Sequence, residues 1–365
     1  MNDHDSKRVK DLLLEEGYSF ISESDEADIL IFNTCSVRKH AEDRVFNVVH
    51  NLKKLKKKRK DLIVGIIGCM AEAKKDEIFK KLPIVDFLCG PADLDKIPSI
   101  LRCLINGSGR IMHIGGHKDK KIPKFTEYAE PGDSTFVKIM EGCSNFCSYC
   151  IVPYVRGPER SRPYKDILKD IKKLCDKGVK KIILLGQNVN SYGKGLKEDT
   201  NFPELLERID KIVDGKAEIL FVTSHPKDAG TTLFRTMAKL KSISKELHLP
   251  IQSGSNRILK KMNRGYTVER YKKLAKEYRS IVKNGKLSTD LIIGFPGETK
   301  KDFLDTLKIV KEIKFNAAYI FKYSPRPYTK ASKLKDNVLT KEKERRHAIL
   351  LENQREISKN RNIKS

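Results

Sequence analysis

Short apolar runs alternate with helical stretches throughout residues 135–338, and this alternation restricts the fold more than any other feature of the sequence. The apolar runs cover residues 135–140, 181–185, 218–222, 246–251, 288–293 and 317–323. Strands that alternate with helices form parallel sheets, and six such units predict a partial (β/α)6 barrel rather than a closed eight-stranded one. Because the active sites of such barrels lie at the carboxyl ends of the strands, we expect functional residues in the loops that follow them.

The first hundred residues show the same alternation on a smaller scale. Predicted strands at 28–32, 62–67 and 85–88 are separated by predicted helices, which cover 6–16, 41–58, 74–81 and 93–104. This pattern indicates a doubly wound α/β domain over residues 1–104. Residues 105–133 are rich in Gly, Lys and Pro and are predicted to form a linker. The predicted fold class is therefore α/β, with the barrel at 134–338 and a charged C-terminal helix at 339–365.

Three cysteines lie in a loop directly after the first predicted barrel strand. Cys143, Cys147 and Cys150 have the spacing C-x3-C-x2-C. Thiolates hold iron–sulfur clusters, and three of them leave one iron of a four-iron cluster open to a substrate. A structural zinc site normally uses four ligands, and a bacterial ferredoxin uses C-x2-C-x2-C-x3-C-P. The spacing therefore favours a catalytic cluster over a zinc site, a ferredoxin centre or a group of buried structural thiols.

Two further cysteines, Cys35 and Cys69, follow the first two strands of the N-terminal domain. Ligands of doubly wound sheets bind beyond the carboxyl ends of the strands, where both thiols are expected. Each alone is more typical of a buried thiol, so the residues themselves leave a second metal site and a structural role equally open. Cys89 and Cys103 match no ligand spacing, and we expect both to be packing residues.

The charge of the chain points to a polyanionic partner. Its 365 residues include 74 Lys and Arg against 48 Asp and Glu, a net charge of +26. Such a charge favours nucleic acid, although a general excess of lysine would give the same total. The basic run at 53–60, KKLKKKRK, is either a phosphate contact or a solvated helix end.

The sequence predicts a cytoplasmic location. The N-terminus, MNDHDSKRVK, is polar and does not resemble a signal peptide. No apolar run is long enough to cross a bilayer. We therefore expect a monomer with no membrane association, whose eight cysteines are reduced thiols or metal ligands rather than disulfides.

The cysteine loop and the sequence after it resemble the radical S-adenosylmethionine methylthiotransferase family. Tyr149 precedes the third cysteine, and the extension VPYVRGPERSRP follows it. Within that family the chain is similar to the bacterial tRNA 2-methylthio-N6-dimethylallyladenosine synthases. The similarity extends to other segments, which are NTCSVR (33–38), GCMAE (68–72), LLGQNVNSYG (184–193), SHP (224–226), HLPIQSGS (248–255), TDLIIGFPGET (289–299) and YSPRP (323–327).

The resemblance implies S-adenosylmethionine and two [4Fe–4S] clusters as cofactors. One cluster would be held by the three loop cysteines, and an auxiliary one by Cys35 and Cys69. One electron, from a donor such as flavodoxin or ferredoxin, would cleave S-adenosylmethionine to methionine and a 5′-deoxyadenosyl radical. The radical would take hydrogen from carbon 2 of an isopentenylated adenosine next to the anticodon of a tRNA. A methylthio group would then be inserted at that carbon.

The resemblance also implies which residues after the barrel strands help to hold S-adenosylmethionine. These are Tyr149, Gln187, Gln252 and Asp290. Other polar residues follow the same strands, but loops are generally polar, so each alone is weak evidence. His225 is more typical of a packed, hydrogen-bonded histidine than of a catalyst, and it receives no predicted role.

The chain departs from the family pattern at both ends. The family places its first auxiliary cysteine two residues before a Met-Asn pair, which here is Met1-Asn2. The strand that carries this cysteine and the C-terminal RNA-binding TRAM domain also have no counterpart in the sequence. We therefore expect cleavage of S-adenosylmethionine with weak or absent methylthio transfer. The alternatives are a ribosomal-protein aspartate methylthiotransferase and an inactive cluster-binding or RNA-binding remnant.

Overall fold

A computed structural model describes residues 1–36, 39–117, 134–196 and 199–362, with the backbone alone at 39, 40, 361 and 362. The chain divides into two compact units. The first combines Met1–Tyr128 with Ile151–Pro158, and the second combines Ala129–Cys150 with Glu159–Ser365. The segment that directly follows the cysteine loop in sequence therefore belongs to the first unit.

Four parallel strands form the sheet of the first unit, in the order β1-β2-β3-β4. They are β1 (Ile29–Asn33), β2 (Ile63–Ile67), β3 (Phe87–Cys89) and β4 (Ile111–His113). The first three confirm the predicted strands. The linker prediction is wrong at Ile111–His113, because these three residues pair with β3. The part of the predicted linker at 118–133 lies outside the described residues.

Helices cover both faces of this sheet, as the prediction of a doubly wound domain requires. They are α1 (Asn2–Glu15), α2 (Lys39–Asn51), α3 (Lys53–Lys58), α4 (Cys69–Lys74), α5 (Asp76–Lys81), α6 (Ile97–Ile105) and, later in the chain, α7 (Val152–Val155). Val9 of α1 and Leu101 of α6 pack in one core with Phe87. Val49 of α2 and Ile78 of α5 pack in a second core on the other face.

Six parallel strands form the second unit and confirm the predicted partial barrel. They are β5 (Ser134–Lys138), β6 (Lys181–Leu185), β7 (Glu218–Phe221), β8 (Glu246–His248), β9 (Lys286–Ile293) and β10 (Ala317–Lys322). They pair as two sheets, β5-β6-β7 and β8-β9-β10. A single bridge between Ile219 and Ile243 connects β7 to the segment that leads into β8.

The barrel strands alternate with helices that pack against them in one large core. These helices are α8 (Tyr164–Asp176), α9 (Phe202–Val213), α10 (Thr231–Lys239), α11 (Asn256–Lys261), α12 (Val268–Ile281), α13 (Lys300–Ile313) and α14 (Thr340–Asn362). The last of them confirms the predicted charged helix. Of the helices in the described part of the chain, none is both long and apolar enough to cross a membrane.

Side-chain caps fix where several barrel helices begin, and so fix the loops before them. Asn201, Ser255 and Thr267 each accept a hydrogen bond from a backbone N–H in the first turn of the following helix. Thr299 forms a reciprocal capping box with Asp302 at the start of α13. These caps hold the connections that follow the strands, where the polar residues of the barrel are found.

Candidate functional site

The cysteine loop, residues 143–150, follows β5 and the short strand Met140–Glu141. Cys147 is buried, whereas Cys143 and Cys150 are partly exposed. Phe146 has a φ of 46°, and the backbone N–H of Cys150 donates to the carbonyl of Cys147 at 2.9 Å. Burial raises the pKa of the Cys143 thiol, and the neighbouring Cys147 adds to that effect. The loop therefore makes a tight turn between Phe146 and Cys150.

The segment between α11 and α12 holds this loop in place. The backbone N–H of Ser148 donates to the carbonyl of Met262 at 2.9 Å, and its hydroxyl donates to the carbonyl of Lys261 at 2.8 Å. The amide of Asn263 donates to the carbonyl of Phe146 at 3.0 Å. These bonds tie the loop to the end of α11 and to the residues that follow it.

Arg264 lies behind the same loop and was not predicted as a site residue. Its guanidinium is buried, and Nη1 donates to the sulfur of Cys147 at 3.3 Å and to the hydroxyl of Tyr149 at 3.4 Å. Nη2 donates to the carbonyl of Pro250 at 2.9 Å, and Nε donates to the hydroxyl of Tyr266 at 2.9 Å. The only sequence signal was a basic residue in a short connection between two helices, which is common on protein surfaces.

Polar atoms without a hydrogen-bond partner are buried after four of the barrel strands. Asn190 follows β6, Ser224 follows β7, Gln252 follows β8 and Tyr323 follows β10, and each has at least one such atom. Gln252 also has a φ of 70°, a conformation that is costly for a residue with a side chain. Because buried polar groups are normally satisfied, this end of the barrel is suited to a polar ligand.

The predicted S-adenosylmethionine residues occupy different positions around this end. The side-chain oxygen of Gln187 accepts a hydrogen bond from the backbone N–H of Gly142 at 2.6 Å, at the start of the cysteine loop. The backbone N–H of Gln252 donates to the carbonyl of Asp290 at 2.9 Å. This hydrogen bond connects the main chains of two other residues that were predicted to hold S-adenosylmethionine. The Asp290 carboxylate itself lies within β9 and pairs with His248 at 3.3 Å.

His225 packs edge-on against Tyr266, with ring centroids 5.7 Å apart. Its Nδ1 accepts a hydrogen bond from the backbone N–H of Lys227 at 3.1 Å, and its buried Nε2 has no partner. Burial, together with the positive charge of Arg264, lowers the pKa of His225 to about 2. The imidazole is therefore neutral at physiological pH, in a structural environment of the kind that the sequence suggested.

The first unit brings Cys35 and Cys69 to the carboxyl ends of two adjacent strands, β1 and β2. Cys69 is the first residue of α4 and is buried beside Ala73 and Val155. Burial raises the pKa of the Cys69 thiol, and Cys35 contributes in the same direction, whereas Arg156 acts in the opposite one. Both thiols therefore lie at the same edge of the sheet, as their positions after the strands predicted.

Arg156, which lies near Cys69, already has an acidic partner. Its Nη2 donates to the carboxylate of Asp5 at 2.6 Å, and both side chains are buried. Cys89 is fully buried in the adjacent core, as expected of a packing residue. Cys103 is exposed on α6, so the expectation that it packs in the interior is wrong. Ile100 and Leu101 of the same helix are buried instead.

The basic run on α3 contains both structural and exposed charges. Lys56 pairs with Asp86 at 2.7 Å, and Arg59 pairs with Asp28 at 2.6 Å. Lys57 and Lys58 are exposed, and the described residues offer them no acidic partner within salt-bridge distance. The run is therefore neither a wholly solvated tail nor a wholly free phosphate-binding surface.

The three thiols after the first barrel strand are suitable ligands for an iron–sulfur cluster, although their side chains are not arranged around a common metal position. Over the described ranges, no three His, Cys, Asp or Glu side chains are arranged to hold a metal ion. Three thiols nevertheless share one fixed loop, and a buried guanidinium contacts one of them. Buried unpartnered oxygen and nitrogen atoms lie after the neighbouring strands. This chemistry fits both an anionic cluster and a polar cofactor.

Solved structures with the same architecture are radical S-adenosylmethionine enzymes. One is the methyltransferase TsrM from Kitasatospora setae, with a TM-score of 0.62, 13% identity and coverage of 89% of this chain and 66% of that one. Another is the cobalamin-dependent enzyme OxsB, with a TM-score of 0.55, 11% identity and coverage of 97% of this chain and 50% of that one. At such low identity these likenesses establish the fold alone.

Sequence comparisons narrow the assignment. Residues 137–310 match the Radical SAM superfamily, and residues 1–90 match Uncharacterized protein family UPF0004. Curated tRNA-2-methylthio-N(6)-dimethylallyladenosine synthases from Clostridium novyi and Clostridium botulinum strain Okra are 46% and 44% identical, and each alignment covers 99% of this chain. The alignments span 80% and 81% of those proteins, respectively.

A relative from Carboxydothermus hydrogenoformans is 42% identical over 98% of this chain and 82% of its own length. The chain therefore belongs to the tRNA-2-methylthio-N(6)-dimethylallyladenosine synthase family of radical S-adenosylmethionine proteins.

Proposed function

We propose that this chain is a transferase that inserts a methylthio group at carbon 2 of a dimethylallylated adenosine next to the anticodon of tRNA. The observation that carries the proposal is the 42–46% identity, over 98–99% of the chain, to relatives with that named activity. Those names favour a tRNA over a ribosomal-protein substrate. The fixed cysteine loop at the end of the first barrel strand supports an active enzyme rather than a remnant.

Cys143, Cys147 and Cys150 are proposed to hold a [4Fe–4S] cluster. When bound, such a cluster supplies the electron that cleaves S-adenosylmethionine reductively and so starts radical chemistry. The protein contributes a loop whose backbone is tied to Lys261 and Met262, so the thiols require little rearrangement of the main chain. Metal binding displaces thiol protons, and the guanidinium of Arg264 lies 3.3 Å from the sulfur of Cys147, where a bound cluster would place negative charge.

Tyr149, Gln187, Gln252 and Asp290 are proposed to position S-adenosylmethionine. Gln187 is held at Gly142, where the cysteine loop begins. Gln252 has a buried, unpartnered side-chain oxygen that can accept a hydrogen bond from the cofactor. The buried surroundings of Tyr149 keep its hydroxyl protonated, since burial raises its pKa well above the usual value. These residues bind and orient the cofactor and keep water away from it.

A second [4Fe–4S] cluster is proposed on Cys35 and Cys69. The two thiols lie at the carboxyl ends of adjacent strands, where ligands of doubly wound sheets bind. Iron content distinguishes one cluster from two. With two clusters, the wild-type protein should bind about twice as much iron as a Cys35→Ala, Cys69→Ala double variant. Equal iron contents in the two proteins would show that these thiols hold no cluster.

The remaining partners follow from the substrate. A tRNA substrate requires a cytoplasmic enzyme and suits the net charge of +26. The target adenine must leave its stack to reach the end of a barrel. A flavodoxin or ferredoxin is the proposed source of electrons, and the proposed working form is a monomer.

The proposal is tested by reconstituting the protein anaerobically with iron and sulfide and supplying S-adenosylmethionine, reductant and dimethylallylated tRNA. Because the identity to those relatives extends over nearly the whole chain, we expect methylthio transfer rather than the weak or absent transfer that the sequence pattern predicted. Both 5′-deoxyadenosine and a methylthio-modified nucleoside should be identified by mass spectrometry. A matched reaction with tRNA that lacks the dimethylallyl group should give much less product. 5′-Deoxyadenosine without modified nucleoside would retain the radical chemistry but reject methylthio transfer by this chain.

A further inference from the structure

Arg264 carries a buried positive charge without an acidic partner. Its side chain is 5% exposed, and across the described part of the chain no Asp or Glu lies within salt-bridge distance of it. Its hydrogen bonds go to one thiol, two phenol oxygens and one backbone carbonyl. Burial of an unpaired charge is expensive, because the charge loses its hydration without gaining a counter-charge.

Three other buried arginines in the described part of the chain, each no more than 5% exposed, pair with a carboxylate instead. These pairs are Arg156 with Asp5, Arg162 with Asp170 and Arg346 with Glu298. Arg264 differs from these three arginines in having no carboxylate partner. The group beside it that can carry a negative charge when a cluster is bound is the thiolate of Cys147.

We propose that Arg264 is a positioning residue that supplies the counter-charge for a cluster on the cysteine loop and makes its one-electron reduction easier. This inference rests on the proposed function, since it requires a cluster held by Cys147. Each thiolate ligand is negative, and reduction adds a further negative charge. A guanidinium 3.3 Å from the sulfur of Cys147 therefore stabilises the reduced state more than the oxidised one.

The hydrogen bond to sulfur acts in the same direction as the charge. Donors to cluster sulfur atoms and the burial of the site are among the factors that set the reduction potential. The contacts of Nη2 with Pro250 and of Nε with Tyr266 fix the guanidinium plane, so Nη1 is directed at the thiol without further ordering. A lysine could supply the charge at this position but could not make all of these contacts.

The competing explanation is that Arg264 only ties Pro250 and Tyr266 together. A structural role of that kind would affect stability but would not change how readily a bound cluster accepts an electron. The test therefore compares Arg264→Gln, which removes the charge, with Arg264→Lys, which keeps it. Arg257→Gln is the matched control, because Arg257 lies nearby in sequence and pairs with Asp302 instead.

The measurement is a redox titration of the anaerobically reconstituted proteins, with the reduced cluster followed by electron paramagnetic resonance. We expect Arg264→Gln to make reduction at least tenfold less favourable, a shift of about 59 mV to more negative potential for one electron. Arg264→Lys should recover most of that loss, and Arg257→Gln should match the wild type. A cluster in Arg264→Gln with the wild-type potential would overturn the inference.

Further outcomes also decide between the explanations. If wild-type protein binds no cluster at the loop, the proposed function fails first. If Arg264→Gln binds no cluster while Arg264→Lys binds one, the charge is required for the cluster to assemble, which supports Arg264 as its counter-charge. If both variants fold by circular dichroism but neither binds iron, Arg264 acts through packing and the inference is wrong.

Discussion

The cysteine loop of the barrel and the pair of cysteines in the first unit offer the same ligand chemistry in opposite electrostatic settings. Next to Cys147, the guanidinium of Arg264 has no acidic partner in the described structure. Near Cys69, the guanidinium of Arg156 is already neutralised by Asp5. Counting the thiols shows only that one site has three cysteine ligands and the other has two. The partners of the arginines show that the first site is prepared for added negative charge to a greater extent than the second.

The two sites also differ in how their thiols are held. Cys143, Cys147 and Cys150 lie in a loop whose backbone is bonded to the segment after α11. Cys69 begins a short helix and is enclosed by apolar side chains. Burial raises the thiol pKa of both Cys69 and Cys143, so desolvation opposes metal binding at both sites. The hydrogen bonds that hold the loop backbone therefore predict that the loop cluster assembles more readily than the proposed second one.

The largest expected effect comes from removing a thiol of the loop. Cys147→Ala should abolish formation of 5′-deoxyadenosine, because two thiolates leave the cluster without its third anchor and remove the contact of Arg264 with sulfur. The measurement is product formation together with iron content after anaerobic reconstitution. Cys175→Ala, at a partly exposed position on α8, is the matched control and should behave as wild type. Unchanged product from Cys147→Ala would remove the loop from the proposed mechanism.

The next effect concerns stability of the first unit. Asp5→Asn should destabilise it by about 3–5 kcal/mol, because the change leaves the buried charge of Arg156 without its partner. Urea denaturation measures the loss, and amide hydrogen exchange in α1 locates it. Asp3→Asn removes an exposed carboxylate from the first turn of the same helix and should cost well under half as much. Similar losses of unfolding free energy in Asp5→Asn and Asp3→Asn would show that Arg156 does not depend on Asp5 as its counter-charge.

Much of the fold could be predicted because its strands are apolar and regularly spaced. The six barrel strands and β1 to β3 are each visible as such a run. The strand Ile111–His113 was missed because three residues next to a Gly-rich segment are too few to show a pattern. Cys103 was expected to pack in the interior because it matches no ligand spacing, yet its side chain is exposed.

The site could be predicted only as far as its chemistry is local in sequence. The cysteine spacing is contained in eight residues, so it identifies the loop without a structure. Arg264 lies 117 residues after Cys147, and Arg156 lies 151 residues after Asp5. No periodicity or spacing links residues so far apart. The electrostatic contrast between the two sites therefore appears only when the chain is folded.

A smaller effect is expected on tRNA binding. Lys57→Glu, Lys58→Glu should weaken binding and reduce the salt dependence of log Kd by about 1 for each lysine that neutralises a phosphate in the wild-type complex. Lys56 should be left intact, because its pairing with Asp86 is structural. The exposed pair Lys172→Glu, Lys173→Glu on α8 changes the net charge equally and is the matched control. Equal weakening by both pairs, measured over a salt series, would mean that net charge alone attracts the tRNA.

The smallest effect uses His225 as a reporter of the positive charge beside the cysteine loop. Its folded-state pKa of about 2 lies below the unfolded value of about 6.5, so between these values the unfolded chain binds more protons. The contribution of His225 to stability is therefore complete above about pH 6.5 and is lost as the pH falls, by at most about 1.4 kcal/mol per pH unit. His225→Gln should flatten the pH dependence of barrel unfolding in urea between about pH 6.5 and 5. If the slope of unfolding free energy against pH is the same in His225→Gln and wild type, the imidazole accepts a proton in the folded barrel. The charge of Arg264 would then be screened more strongly than its burial indicates.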